Sequence, residues 1–269
     1  MRLLFFIILL ICCSRSAKAH GPVHEQIDSL SKQISMFPDS LNLYFERGVY
    51  YQIDKDYERA VADFEKVLIM DNQIFTTYFP LAEIYFETEK YELASQYIDE
   101  YIIHFPQHAN GHILFAKAHL ALGEDNLAIA GFDKAIAIKK EKTSPEDFIH
   151  LANVWRIQNP EKAYKVLEEG VSKLGPYVSL QKHLIELANE HEWYDRSMQT
   201  INTVLAKAQR KEFWLLQKAD VLLQQGKFEQ AKMTYQNCLA EIAGLKPKTK
   251  ETEYVQTIYE KATLALSAL

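Results

Sequence analysis

Residues 41–64 read LNLYFERGVYYQIDKDYERAVADF, and this stretch decides the fold class. Its apolar residues recur at steps of three and four on both sides of the polar run 54–56. That spacing is typical of two amphipathic helices joined by a short turn. Gly48 and Ala60 are the small residues of the two segments. Because a larger side chain at either position would force crossing helices apart, we expect a tightly packed helical hairpin.

The same pattern returns along the chain at a fixed interval. Small residues recur every 34 residues, at Gly48, Ala82 and Ala116 in the first helix and at Ala60, Ala94 and Ala128 in the second. The period slips by one or two residues at a fourth unit, marked by Ala152 and Ala163, and two more units follow. A period of this length over about six units predicts an all-α solenoid of stacked hairpins.

Segments 43–51 and 57–64 resemble the pattern of the tetratricopeptide repeat (TPR) family closely, and Phe228–Ala231 with Tyr235 repeats it near the end of the chain. The resemblance covers about residues 41 to 240. It implies a right-handed superhelix of about six helix-turn-helix repeats. It implies little about function, because TPR arrays serve many unrelated pathways. The start HGPVHEQI at residues 20–27 also resembles a group of exported bacterial TPR proteins without an assigned activity.

The predicted organisation has four parts: a signal peptide at 1–19, an N-terminal capping helix at 20–40, a TPR array at 41–243 and a C-terminal capping helix at 244–269. Capping segments are expected because the end repeats of a solenoid expose apolar surface that must be covered. The six repeats are expected at about 41–74, 75–108, 109–142, 143–176, 177–211 and 212–243.

The first nineteen residues have the composition of a signal peptide. Arg2 supplies a positive charge, residues 3–13 form an unbroken apolar run, and Ala17 and Ala19 are the small residues that a signal peptidase reads. We expect cleavage after Ala19 and export, to the periplasm of a bacterial envelope. The alternative is an uncleaved segment that anchors the chain in the inner membrane.

Cysteine usage does not predict a disulfide framework. Cys12 and Cys13 follow Ile11 rather than a small residue, so a lipid-modified cysteine fits poorly. Removal of the signal peptide leaves Cys238 alone, and one cysteine cannot form an internal disulfide. Cys238 lies on a core-facing column and is expected to be a small buried apolar residue.

Charge and motifs argue against catalysis and nucleic-acid binding. The net charge is −6 and both signs are interspersed, so the sequence has no basic stripe that would neutralise phosphates. It contains neither a phosphate-binding glycine loop nor a Gly-x-Ser-x-Gly motif. We therefore expect no enzyme activity, no cofactor and no small-molecule substrate. An accessory subunit of a separate enzyme is an alternative.

Histidines provide the alternative of a metal-handling protein. His20 and His24 open the expected mature chain, and an N-terminal histidine can chelate a metal through its amine and ring. His104, His108 and His112 are spaced by four, but Pro106 interrupts the helix that would align them. No acid or cysteine completes either set, so we expect no metal site. The three spaced histidines are instead expected in exposed loops.

A protein partner is expected in the concave groove, which the first helix of each repeat lines. The inward positions follow from the packing columns and are Phe45, Gln52, Phe79, Glu83, Phe86, Ile113, Lys117, Asn153, Arg156, Lys182 and Glu186. TPR domains that clamp a carboxylate use lysine, arginine and asparagine at such sites, so aromatic residues here argue against a chaperone-tail clamp. We expect a scaffold or adaptor that binds a peptide or helix. Open solenoid ends can self-associate, so a homodimer is an alternative to a monomer.

Overall fold

A computed structural model describes residues 21–269 of the chain. These residues form fifteen α-helices, two short 3-10 segments at Phe75–Thr77 and Lys140–Lys142, and no strand. The predicted all-α fold is therefore confirmed. The helices are α1 (Pro22–Met36), α2 (Leu41–Ile53), α3 (Tyr57–Met70), α4 (Tyr78–Glu87), α5 (Tyr91–His104), α6 (Ala109–Ala121), α7 (Asp125–Lys139), α8 (Pro145–Gln158), α9 (Pro160–Leu174), α10 (Val178–Glu190), α11 (Tyr194–Leu205), α12 (Glu212–Gln224), α13 (Phe228–Gly244), α14 (Pro247–Lys250) and α15 (Glu253–Ser267).

Consecutive helices pair into six hairpins, which are α2–α3, α4–α5, α6–α7, α8–α9, α10–α11 and α12–α13. In five of the six hairpins the turn contains one residue with positive φ, the left-handed conformation that ends a helix, whereas Asn159 between α8 and α9 has a φ of −152°. The positive-φ residue recurs at the repeat period, at Lys55, Glu89 and Gly123 and again at Glu192 and Gly226. The 34-residue period of the sequence is therefore also a period of the backbone.

The small residues that recur along the repeats mark the closest approaches between paired helices. A Cβ atom added to Gly48 would lie 2.9 Å from the ring of Phe64, so α2 and α3 meet there without a side chain between them. At Gly131 of α7, an added Cβ would lie 2.9 Å from the Ala116 Cβ and 2.9 Å from the carbonyl oxygen of His112, both in α6. Only glycine fits at Gly131 without displacement of the neighbouring backbone.

The described residues divide into two compact units, an N-terminal unit that ends at Ile138 and a C-terminal unit from Lys139 to Leu269. The N-terminal unit is built on a continuous aromatic and aliphatic core, in which Phe64, Leu81 and Ile98 are fully buried. Burial of such side chains is the main favourable contribution to folding.

An ion pair ties the first three helices of the N-terminal unit together. The Arg47 guanidinium of α2 donates two hydrogen bonds of 2.8 Å to the carboxylate of Asp63 in α3, and a third of 3.0 Å to Ser31 Oγ in α1. The side chains of Arg47 and Asp63 are only 18% and 8% exposed. Because a buried charge is costly without its partner, this contact fixes the register of α1, α2 and α3.

The C-terminal unit buries a separate core that extends into the last helix. Leu222 and Tyr235 pack with Val255 and Ile258 of α15. The chain does not pass directly from the last hairpin into this helix, because Pro247 begins the short α14 and α15 starts only at Glu253. Among residues 21–269, no helix combines the length and the apolar character needed to cross a membrane.

Candidate functional site

A cleft of about 410 Å³ opens on the first helices of three successive hairpins in the N-terminal unit. We call it the N-terminal cleft. It is lined by Gln52 of α2, by Phe79, Glu83, Phe86 and Glu87 of α4, and by Asn110, Ile113, Leu114 and Lys117 of α6. Six of these residues are positions that the repeat columns predict to face inward: Gln52, Phe79, Glu83, Phe86, Ile113 and Lys117.

Glu83 is the electrostatic centre of this cleft. The side-chain amide of Gln52 donates a hydrogen bond of 3.2 Å to the Glu83 carboxylate. Burial raises the pKa of Glu83 above its usual range, the hydrogen bond from Gln52 opposes the shift, and the charge of Glu87 adds to it. Since two acids share the cleft with Lys117, it favours a ligand with positive charge.

The seventh inward position of the N-terminal unit, Phe45, does not line this cleft. Its ring packs edge-to-face on Phe64 at a centroid distance of 5.6 Å and an interplanar angle of 63°. The close approach at Gly48 brings the Phe64 ring up to α2, where Phe45 lies one turn earlier on the same helix. Phe45 is therefore a half-buried packing residue at the edge of the core.

His119 positions α6, the helix that brings Ile113 and Lys117 into the cleft. Its ring is buried, with Nε2 2.9 Å from Asp99 of α5 and Nδ1 2.5 Å from Glu124 in the turn after α6. Burial lowers the pKa of His119, but the hydrogen bonds and charges of Asp99 and Glu124 outweigh it and raise the pKa above its ordinary value. The contacts of the imidazole ring with Asp99 and Glu124 thus hold two segments of the chain against α6.

The remaining inward positions lie in the C-terminal unit and serve local contacts there. Arg156 of α8 donates a hydrogen bond of 2.8 Å from Nε to Glu190 at the end of α10. The Lys182 ammonium lies 4.4 Å from the ring centroid of Phe213, a cation–π contact. Asn153 and Glu186 are exposed.

A second cleft, of about 450 Å³, lies in the C-terminal unit where the ends of α10, α11 and α12 approach Tyr254 of α15. We call it the C-terminal cleft. Val178, Val204, Phe213 and Trp214 supply much of its largely apolar lining. The repeat columns do not predict it, because part of its wall is the connection from α11 to α12. The available signal was the apolar residues Val178 and Phe213, which lie in the first turns of α10 and α12 and outside the recurring small positions.

The histidines do not assemble into a metal site within residues 21–269. His104 stacks on Phe75 at a centroid distance of 3.4 Å, and His108 Nδ1 is 3.1 Å from the Tyr101 hydroxyl. His112 is buried, with Nε2 3.0 Å from the carbonyl oxygen of Pro106. The expectation of exposed loop histidines is therefore wrong for His108 and His112, because each fills a space between α5 and α6. No group of three or more histidine, cysteine or acidic side chains in the described part of the chain has metal-binding geometry.

The predicted N-terminal metal pair is only partly within the described residues. His20 lies outside them, as does the predicted signal peptide. His24 of α1 has its Nε2 atom 3.5 Å from Asp54 Oδ1 at the end of α2. This contact joins the capping helix to the first hairpin.

Comparisons with known proteins agree with this architecture. A tetratricopeptide repeat family model matches residues 41–73 and 215–241. No curated protein matches the chain in sequence.

Solved structures of bacterial TPR proteins are similar to this chain. A tetratricopeptide repeat protein from Parabacteroides merdae has a TM-score of 0.57 and 16% identity, over 91% of this chain and 94% of its own. YrrB, described as a TPR protein with an unusual peptide-binding site, has a TM-score of 0.56 and 13% identity, over 67% of this chain and 92% of its own. MamA from Desulfovibrio magneticus RS-1 has a TM-score of 0.53 and 19% identity, over 56% of this chain and 85% of its own. At these identities the similarity shows the fold alone, and with the family match it shows that this chain carries tetratricopeptide repeats.

Proposed function

We propose that this chain is a non-enzymatic scaffold that binds a segment of a partner protein in the N-terminal cleft. The observation that carries the proposal is the convergence of residues from α2, α4 and α6 on one cleft of about 410 Å³. Three successive hairpins thus present side chains to one ligand, as a peptide-binding repeat array does. YrrB, described as a TPR protein with an unusual peptide-binding site, supports the same use of the fold.

The lining of the cleft defines the partner segment. Phe79, Phe86 and Ile113 offer apolar surface for one or two anchoring side chains. Gln52 and Asn110 carry amides that can pair with a peptide backbone. Because Glu83 and Glu87 outnumber Lys117, the segment carries a lysine or arginine beside its apolar anchor.

The test is a selection of peptides on the parent protein, with the preferred peptides then measured against two matched variants. The cleft variant is Glu83→Gln with Glu87→Lys. The control is Glu65→Gln with Glu58→Lys, the same changes at two exposed acids of α3 that do not line the cleft. We expect the cleft variant to lose about tenfold in affinity, as removal of charged hydrogen bonds does, and the control to bind as the parent. Equal affinities for both variants would refute the site.

Capture after mild cross-linking in envelope extracts, with the same two variants, then identifies the partner. A captured enzyme whose recovery depends on Glu83 and Glu87 would make the chain an accessory subunit. A captured structural protein would make it an assembly scaffold.

The place of action is a separate part of the proposal. We propose export to the periplasm with cleavage after Ala19, because residues 1–19 combine a positive start, an apolar run and small residues before the cleavage point. Fractionation of cells and sequencing of the mature N-terminus test it. A mature chain that begins at His20 supports export, whereas the intact chain in the inner-membrane fraction supports the anchored alternative.

A further inference from the structure

The N-terminal cleft has charges of both signs on walls that belong to different helices. Glu83 and Glu87 lie on α4, whereas Lys117 lies on α6, the first helix of the next hairpin. Lys117 nevertheless forms no ion pair with either acid, nor with any other acid of residues 21–269. Opposite charges that share a cleft without neutralising each other are available to a ligand. A ligand with a cation alone would therefore leave the α6 wall unpaired.

The repeat determines how these charges are placed along the array. Glu83 and Lys117 are 34 residues apart, which is one repeat period, so they occupy the same position on successive first helices. Helices α4 and α6 contact each other, and the axes of packed helices lie about 8–10 Å apart. The negative and the positive charge therefore follow each other along the array at a spacing of about 10 Å.

The amides of the cleft favour an extended ligand over a helical one. Gln52 donates its amide hydrogen to Glu83 at 3.2 Å, and its side-chain carbonyl oxygen is an acceptor for a ligand. Asn110 is exposed in the first turn of α6. A helical ligand pairs its backbone N–H and C=O groups internally, whereas an extended one offers them to such amides.

The spacing of the charges fits an extended chain of the polyproline II type. This conformation has three residues per turn and a rise of about 3.1 Å per residue, without internal hydrogen bonds. Side chains three positions apart therefore share a face and lie about 9 Å from each other. That distance matches the spacing of the two charged walls.

We infer that the N-terminal cleft binds an extended segment with a basic and an acidic residue three positions apart, the basic one against Glu83 and the acidic one against Lys117. The inference rests on the proposed function, because it describes the segment that the scaffold binds. An apolar side chain between the two charges lies against Phe86 or Ile113. Because the two charges of the segment cancel, the cleft recognises their order rather than their sum.

A double-mutant cycle across the interface tests the acidic end of the segment. Peptides selected on the parent should be enriched in a basic and an acidic residue three positions apart. The tightest of them is labelled with fluorescein and measured by anisotropy against the parent and Lys117→Met. Glutamine in place of its acidic residue should weaken binding to the parent about fivefold and leave binding to Lys117→Met unchanged.

Lys134→Met is the matched control, since Lys134 is an exposed lysine of α7 that does not line the cleft. This variant should respond to the change in the peptide as the parent does. Selected peptides without an acidic residue would overturn the inference. An equal loss in the parent and in Lys117→Met, or no loss in either, would do the same.

An exchange of charges tests their order. Glu83→Lys combined with Lys117→Glu keeps the net charge of the cleft, and far-UV circular dichroism checks that the variant retains its helices. A peptide with its basic and acidic residues exchanged should bind this variant about fivefold more tightly than the original peptide does, and the parent should show the opposite preference. If peptide binding depends on Glu83 and Glu87 but neither protein distinguishes the order, the inference is wrong and the proposed function stands. A parent that selects no peptide would overturn both.

Discussion

The two clefts have similar volumes, about 410 Å³ and about 450 Å³, but opposite chemistry. The N-terminal cleft combines aromatic rings with two acids, a lysine and two amides. It is lined by residues of α2, α4 and α6, the first helices of three successive hairpins. The C-terminal cleft is largely apolar and is lined by helix ends and a connection. A repeat architecture thus produces one cleft from its regular positions and another where its regularity ends.

The difference also concerns what holds each cleft in place. Charged contacts anchor the walls of the N-terminal cleft: Arg47 with Asp63 behind α2, and His119 with Asp99 and Glu124 behind α6. In the C-terminal unit, a buried Tyr235 hydroxyl donates a 2.6 Å hydrogen bond to Asp220, and the Cys238 thiol donates one of 3.1 Å to the Glu212 carbonyl. The wall of the C-terminal cleft also contains an ion pair, between Arg210 and the buried Glu212, so the units differ in the kind of polar contact rather than in the presence of buried charge.

The largest expected loss of stability comes from disruption of the Arg47–Asp63 ion pair. Arg47→Met leaves the buried Asp63 without a counter-charge and should lower the free energy of unfolding by about 3 kcal/mol. Arg59→Met removes an exposed pair with Asp56 in the same hairpin and should cost less than about 1 kcal/mol. Urea unfolding followed by far-UV circular dichroism reports the whole chain, whereas tryptophan fluorescence reports the C-terminal unit, which holds all three tryptophans.

We expect Arg47→Met to shift the circular-dichroism transition and to leave the fluorescence transition in place. A shift of equal size in both signals would show that the two units unfold together. Equal effects of Arg47→Met and Arg59→Met would contradict the structural role of the buried pair.

A smaller loss is expected at Gly131, which allows α7 to approach the cleft helix α6. Alanine there adds a methyl group 2.9 Å from a backbone oxygen, which costs about 1–3 kcal/mol and is partly offset by the better helix propensity of alanine. The net loss should be about 1 kcal/mol, together with weaker peptide binding at the N-terminal cleft. Gly244→Ala, where a Cβ meets no atom within 4 Å, is the matched control and should not destabilise. A stabilised Gly131→Ala variant would show that the close packing there is wrong.

The pH dependence of the N-terminal unit should follow His119. Because the pKa of His119 is raised above its ordinary value of 6.5, its contribution to stability is complete below that value and is lost as the pH rises through the raised pKa. The urea midpoint from circular dichroism should therefore fall as the pH rises from 6.5 into the alkaline range. His119→Gln, which cannot carry the charge, should flatten this decline. A parent midpoint independent of pH over that range would exclude the charged contact with Asp99 and Glu124.

The smallest effect, on reactivity rather than stability, is expected at Cys238. Burial raises the pKa of this thiol to about 12, and the acids Glu212 and Asp220 add to the shift. In a chain with Cys12→Ser and Cys13→Ser, a thiol reagent should therefore label Cys238 only as fast as the C-terminal unit opens. Urea that unfolds this unit should release the thiol for rapid labelling. Rapid labelling in native conditions would contradict the buried position.

The fold and most of the N-terminal cleft were predictable from the sequence because both follow one period. Positions such as Phe79 and Ile113 keep a constant offset from the small columns, so knowledge of the columns predicts their direction. Phe45 has the same offset, but the space left by Gly48 is filled by the Phe64 ring and Phe45 packs on it. Whether a residue at this offset packs in the core or faces the cleft depends on the side-chain volumes of two neighbouring helices. The period of the sequence contains no information on these volumes.

The C-terminal cleft was not predictable for a related reason. Its lining includes residues 207–210, in the connection between α11 and α12, and Tyr254 of α15, beyond the last repeat. These residues have no fixed offset from the recurring small residues, so the repeat pattern does not predict which way their side chains face. The separate α14 was also missed: Pro247 begins a short helix after Leu245, within residues 244–269, for which the sequence predicts a single capping helix.

Helix α1 covers the end of the repeat array and so limits the addition of further hairpins there. Ile27, Leu30 and Ile34 are buried on it, and Ser31 accepts a hydrogen bond from Arg47, so the first hairpin is already covered. A chain without residues 22–36 would present an open end whose natural complement is another hairpin array. The extent of its assembly would then depend on protein concentration through mass action. In the intact chain this end is covered by a helix of the same chain, so its coverage does not depend on concentration.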